Sequence, residues 1–219
     1  MGESVKPVVV LGGTGYLGRP LIEKLLRDGF QVVAVARPGS ERKLPPGCGV
    51  ITGNALDSAT YQDRIPAGST FVHLVGTPHP SPWKAAEFRS IDLVSLEQSV
   101  AAGKRAAAEH FVFVGVAHPA PVMRDFIAVR VECEQKIRQS GLNATIFRPW
   151  YILGPGHYWP CILMPLYKVL ETIPTTRESA VRLGLVTRAR MVNALASAVA
   201  SDTRGIRVID TAAIRACEA

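Results

Sequence analysis

Residues 8–26 read VVVLGGTGYLGRPLIEKLL, and the reading of this stretch decides the fold. Val8, Val9, Val10 and Leu11 form an unbroken apolar, largely β-branched run, the composition of a strand buried on both faces. Gly12, Gly13, Gly15 and Gly18 follow at once, and from about Tyr16 the residues Leu17, Leu21 and Leu25 fall on one face of a helix that Gly29 closes. A strand turning through glycines into a helix is the context of a dinucleotide fingerprint. The turn is tight, the backbone approaches a pyrophosphate closely, the helix packs near the strand, and helix N-terminal amides point at the anion. The pattern assigns Gly12, Thr14, Gly15, Tyr16, Leu17 and Gly18 to a cofactor cradle. An ordinary βα turn is the bland alternative, and a second strand closing the unit weighs against it.

Further apolar runs follow at intervals that leave room for helices. QVVAVA (31–36), GVIT (49–52), FVHLVG (71–76), FVFVGV (111–116), ATIF (144–147) and RVIDT (207–211) read as strands, with helices over 90–108 and 125–139 and a short one capped by Asp57. Near-continuous apolar strands alternating with helices give an α/β fold, a doubly wound parallel sheet of the Rossmann type. Residues 1–219 contain no repeat, low-complexity tract or linker and read as one domain. Residues 154–187, rich in Pro, Thr and aromatics, read as a small cap over the carboxyl edge of the sheet.

Bulk composition narrows the partners. The chain has 219 residues, 47% hydrophobic and 20% charged, with a formal charge of +7. That charge fits an anionic partner, and a phosphate-bearing cofactor satisfies it. The basic residues are scattered, with neither a basic stripe nor a nucleic-acid motif, which argues against nucleic acid. Cys48, Cys133, Cys161 and Cys217 stand too far apart for a CxxC pair, so no metal site or disulfide framework is expected. With a polar N-terminus and no apolar run of membrane length, the expectation is a cytoplasmic protein without a membrane partner.

The second strand ends in AVARPGSERK, and Arg37 stands nineteen residues beyond Gly18. An acidic residue there would suit the ribose hydroxyls of NAD, whereas Arg suits a 2′-phosphate. The expected cofactor is NADP(H) rather than NAD, with Ser40, Arg42 and Lys43 assisting. The alternative is a solvated surface Arg.

LGGTGYLGR, GNALD (53–57) and SGLNATIFRPWYILGPG (140–156) together resemble the atypical short-chain dehydrogenase/reductases, on the NmrA-like and epimerase-like side. The resemblance implies that Asn54 takes the place of an acid near the adenine, with Ala55 beside it. It places Arg148 and Pro149 beside the nicotinamide, and Trp150 and Tyr151 at the pocket wall. Val75 and Gly76, closing the fourth strand, complete the cofactor set. The family also carries Tyr and Lys in a YxxxK motif on the helix holding FIAVRVECEQK (126–136), and there Phe126 takes the Tyr position and Arg130 the Lys position. Phe has no ionisable proton, and Arg binds ribose or phosphate but does not relay protons near neutrality. The family's Ser or Thr after the fifth strand is replaced by Gly115, Val116 and Ala117.

Replacement proton donors are His118, past the fifth strand, and Tyr151, with His79, His157 and Tyr158 as rivals; each is equally read as a polar loop residue. His73, inside an apolar strand, reads as a hydrogen-bonded core residue. Trp83, Trp150 and Trp159 read as walls of an apolar pocket or as packing residues. Two function classes follow. One is an NADP(H)-dependent reductase or epimerase-like enzyme acting on a small apolar or carbonyl substrate without the Tyr–Lys pair. The other is a protein that binds NADP(H) without turnover, as a sensor or scaffold for a protein partner.

Overall fold

The computed structural model of the chain describes residues 6–156, 178, 179 and 181–218. Seven strands form one parallel sheet: β1 (Val8–Leu11), β2 (Val32–Ala36), β3 (Gly49–Thr52), β4 (Thr70–His73), β5 (His110–Val114), β6 (Ala144–Arg148) and β9 (Ile206–Asp210). Their order is β3-β2-β1-β4-β5-β6-β9, and every pairing is parallel. The order reverses between β1 and β4, so the carboxyl ends of these two strands diverge and leave the crevice in which such sheets bind ligands. All the apolar runs singled out in the sequence are strands of this sheet.

The helices cover both faces. Along β1 the side chains alternate: Val8 and Val10 pack with Leu21, Ile22 and Leu25 of α1 (Gly18–Arg27), while Val9 and Leu11 pack with Phe88 and Leu96 on the other side. α1 ends where Gly29, at φ +87°, lets its amide reach Leu26 O and that of Phe30 reach Leu25 O, which satisfies carbonyls the helix would otherwise leave open. The opposite face carries a continuous helix that begins as α2 (Ala85–Glu87), loosens to π-helical geometry over Phe88–Leu93, and continues as α3 (Val94–Arg105). Beside it lies α4 (Arg124–Ser140). α5 (Arg188–Val199) joins α1 on the first face and α6 (Thr211–Ala216) follows β9.

Several boundaries differ from the sequence expectation. The first helix begins at Gly18, not Tyr16, because Gly12 to Leu17 are spent on the turn. β4 stops at His73 and β5 at Val114, so Leu74–Gly76 and Gly115–Val116 leave the sheet and become loop walls. The helix read as 90–108 starts earlier and ends at Arg105. A second parallel pair, β7 (Tyr151–Leu153) with β8 (Leu185–Thr187), was not expected. Most of the stretch read as a cap, residues 157–177 and 180, lies outside the described residues, as does Cys161.

Candidate functional site

The glycine turn is shaped by what surrounds it. Gly12 adopts φ +85°, and a Cβ there would stand 2.8 Å from the Leu74 carbonyl carbon. A Cβ on Gly18 would meet the Gly12 carbonyl and stand 2.7 Å from the Gly13 Cα, so this glycine lets the helix sit directly on the strand end. Gly15 differs: its Cβ would meet only Gly12 O, at 3.2 Å, and otherwise point into open space. Gly15 is therefore the glycine whose bareness serves something outside the fold. The turn fits a pyrophosphate cradle.

From Gly15 a cleft of about 650 Å³ runs along the carboxyl edge of the sheet between β1, β4, β5 and β6. Of the residues assigned to the cofactor in the sequence, Gly12, Gly15, Tyr16, Leu17, Gly18, Val75, Gly76, Arg130, Pro149, Trp150 and Tyr151 line it. Thr14, Arg37, Asn54 and Ala55 do not. Arg37 is exposed immediately after β2, and Asn54 is exposed after β3 with its Oδ1 accepting from Leu56 N at 3.1 Å in a local turn.

The far end of the cleft is built on α4. Phe126 and Arg130, one turn apart, both face it, and the Arg130 guanidinium lies 5.2 Å from the Phe126 ring and 5.7 Å from that of Phe113. Phe126 stands edge-on to Phe88, ring centres 5.1 Å apart. Arg130 is fixed by partners the sequence did not suggest. Its Nη2 donates to Asp92 Oδ1 at 2.5 Å and its Nη1 to the Val114 carbonyl at 3.0 Å. Asp92 is fully buried, and its Oδ2 accepts from the Thr77 amide at 2.9 Å and from the Thr77 hydroxyl at 2.6 Å. Three elements converge on one carboxylate: the loop after β4, the π-helical segment and α4. Gly76 completes the arrangement, since a Cβ there would collide with Arg130 Nη2.

One turn further along α4, the buried Glu134 accepts from Arg148 Nε at 3.0 Å and from Arg148 Nη2 at 2.5 Å, a part-buried two-pronged pair. His118 Nε2 lies 3.8 Å from Glu134 Oε1, beyond hydrogen-bond reach. Burial lowers the His118 pKa, Arg148 and Arg182 lower it further, and Glu134 opposes them. His118 is not in the cleft. It lines a second cavity of about 620 Å³ with Ala117, Arg148 and Arg182. This is a correction to its reading as a proton donor beside the cofactor: the chain turns at Ala117 and carries the imidazole past the cleft wall. Trp83, read as a pocket wall, is 91% exposed instead. His79 flanks the mouth at φ +48°. His157, Tyr158 and Trp159 lie outside the described residues.

His73 is the core residue expected. Its Nδ1 pairs with Ser99 Oγ at 2.8 Å, and burial, reinforced by the Arg130 charge, holds its pKa down at about 3. Tyr16 packs its hydroxyl against Gly154, with Arg188 stacked 5.1 Å from its ring.

A family model described as NAD(P)H-binding matches residues 12–157, from the glycine turn to the last described residues of the cleft wall. The chain belongs to the NAD(P)H-binding family. Ceramide reductase of Caulobacter vibrioides is 30% identical to this NAD(P)H-binding protein over 155 residues, 68% of this chain and 47% of that one. An NmrA-like family domain-containing protein of Dictyostelium discoideum is 28% identical over 173 residues, 70% of this chain and 54% of that one. The chain thus spans about half the length of the curated relatives it matches. Among solved structures, the Bordetella bronchiseptica enzyme WbmH in complex with NAD+ superposes with a TM-score of 0.69 at 20% identity, covering 94% of this chain and 75% of that one. The Thermus thermophilus UDP-glucose 4-epimerase complex with NAD gives 0.67 at 16% identity, covering 95% and 81%. The NAD(P)H-binding protein is an atypical short-chain dehydrogenase/reductase-like Rossmann protein, and its cofactor is a nicotinamide dinucleotide. No helix among the described residues is long and apolar enough to cross a membrane.

Proposed function

We propose that this chain is an NADP(H)-dependent reductase that works without the family's Tyr–Lys pair. The observation that carries the reading is a single cleft running without interruption from the bare Gly15 to Phe126, Arg130 and Tyr151. Backbone amides around Gly15 would hold the pyrophosphate, and the exposed Arg37 would take a 2′-phosphate through charge-assisted hydrogen bonds. Arg130 would stand near the ribose as a permanent cation, and Phe126 would form an apolar wall that keeps water from the reacting end. The bound cofactor supplies the hydride. The matching proton would come from Tyr151, a half-buried hydroxyl residue of the cleft lining, or from water. Two relatives bear the names ceramide reductase and, from Arabidopsis thaliana, divinyl chlorophyllide a 8-vinyl-reductase, which supports reduction as the reaction class.

A second reading, cofactor binding without turnover, draws on Phe126 alone: at the place of the family's Tyr it offers no proton. The two readings separate in one assay. NADPH oxidation over a panel of quinones, aldehydes and ketones supports the reductase, and tight binding with no oxidation across the panel supports the sensor.

Cofactor choice has its own test. NADPH is expected to bind more tightly than NADH, and Arg37→Asp to abolish or reverse a preference worth about 1–3 kcal/mol. Equal affinities of the unaltered protein for the two, by calorimetry, would remove Arg37 from the site.

A further inference from the structure

The second cavity adjoins the cleft at the end where Phe126 and Arg130 stand. Consecutive residues part between the two: Val116 faces the cleft and Ala117 the cavity, and at the end of β6 Arg148 faces the cavity while Pro149, just after it, faces the cleft. Its polar lining holds more donors than the protein uses. Arg148 spends Nε and Nη2 on Glu134, which leaves Nη1 outside that pair. Arg182 gives Nη1 to Glu178 Oε1 at a long 3.4 Å and Nη2 to Ser179 Oγ at 3.1 Å, and its buried Nε has no partner. His118 Nε2 is also buried without a hydrogen-bond partner. Buried donors left unsatisfied cost free energy that a ligand acceptor can return.

The acids of the lining do not cancel this surplus. Asp210 caps α6, its Oδ1 accepting from Ala213 N at 2.8 Å. The Glu178 side chain is 93% exposed and holds Arg182 only through a stretched contact, which a better-placed anion would displace. Glu134, behind His118, is committed to Arg148. The cavity, at about 620 Å³, has the size of a small-molecule site.

We infer that this cavity is the substrate's carboxylate site: Arg182, Arg148 and His118 hold a carboxyl group and thereby aim the neighbouring carbonyl of an acidic ketone at the cofactor cleft. The inference rests on the reductase reading for its direction, but not for the anion site itself, which is built from β5, β6, β9 and residues near β8 rather than from the glycine turn.

The test is calorimetric and compares benzoylformate with its methyl ester, which has the same ketone and no charge. Each is titrated into the protein saturated with NADP+, where no turnover occurs, and into the cofactor-free protein. The acid should bind at least tenfold more tightly than the ester in both states. Arg182→Gln should erase that difference without changing NADP+ affinity, and Glu178→Gln should tighten the acid severalfold. Equal binding of acid and ester, or a preference that survives Arg182→Gln, would overturn the inference. Failure of NADP+ to bind, with the acid preference intact, would sink the reductase reading and leave the carboxylate site standing.

Discussion

The family resemblance puts Phe126 and Arg130 in the places of the Tyr and Lys, and in the structure the two pack together on the cleft wall. Arg130 gains what Lys would lack: a planar fork that bonds Asp92 and the Val114 carbonyl together while stacking on Phe126 and Phe113. A guanidinium held this way positions and does not relay protons. Carbonyl reduction by the natural protein should accordingly be slow. Phe126→Tyr combined with Arg130→Lys restores a titratable hydroxyl with a cation near it, and a rate gain of about 10²–10⁴ is expected when geometry permits. The comparison uses one quinone or dicarbonyl, with NADPH binding verified for both proteins. Rapid turnover by the natural sequence, unchanged by Tyr151→Phe, would place the chemistry elsewhere. The family resemblance pointed to Phe126 and Arg130, which the structure brings to the cleft, but nothing in the sequence reading pointed to Asp92. A signal existed: an acid between Ile91 and Leu93 on a helix due for burial must find a partner.

At the scale of elements, the β1–α1 unit behaves as its sequence demands, because four constraints coincide within a few residues. A strand needs apolar residues on both faces, Gly12 needs a positive φ, Gly18 needs to touch the turn, and Gly15 needs to be bare. Only the last is free of the fold. Gly15→Val should therefore abolish NADPH binding by calorimetry while the thermal midpoint stays within a few degrees, since the new side chain projects away from the core. Normal binding by this variant would mean that the pyrophosphate lies elsewhere. The strands were readable because parallel sheets demand unbroken apolar runs. The π-helical segment and the β7–β8 pair were not. The first is recorded only in hydrogen-bond spacing, which neighbouring contacts select, and the second pairs segments more than thirty residues apart in the chain, Tyr151–Leu153 with Leu185–Thr187. His118 was misplaced for a related reason: a residue after a strand can turn either way, and sequence does not say which cavity it enters.

At the scale of the whole molecule, two buried histidines make the fold less stable in acid. His73 is held down at about 3 by burial and by Arg130, and His110 at about 4 chiefly by burial, against an ordinary value of 6.5. Both are neutral in the folded chain. Below pH 6.5 the unfolded chain takes up protons that the folded chain refuses, so stability falls as pH drops through 6.5 toward 4 and 3, with no contribution above that window. Each histidine steepens the fall by at most about 1.4 kcal/mol per pH unit. Urea denaturation between pH 7.5 and 4.5 should show a shallower loss for His73→Asn than for the natural protein; identical slopes would mean that His73 is protonated in the fold. The carboxylate of Asp92 has a different consequence, visible by isotope exchange. Thr77 belongs to no strand or helix and stands next to the exposed Pro78, yet its amide donates to Oδ2 of a fully buried carboxylate whose Oδ1 holds Arg130. In heavy water that lone loop amide should retain its hydrogen about as long as the amides of α4, because freeing it requires opening the contacts of a buried charge. Prompt deuteration at Thr77 would show that the floor of the cleft opens without unfolding.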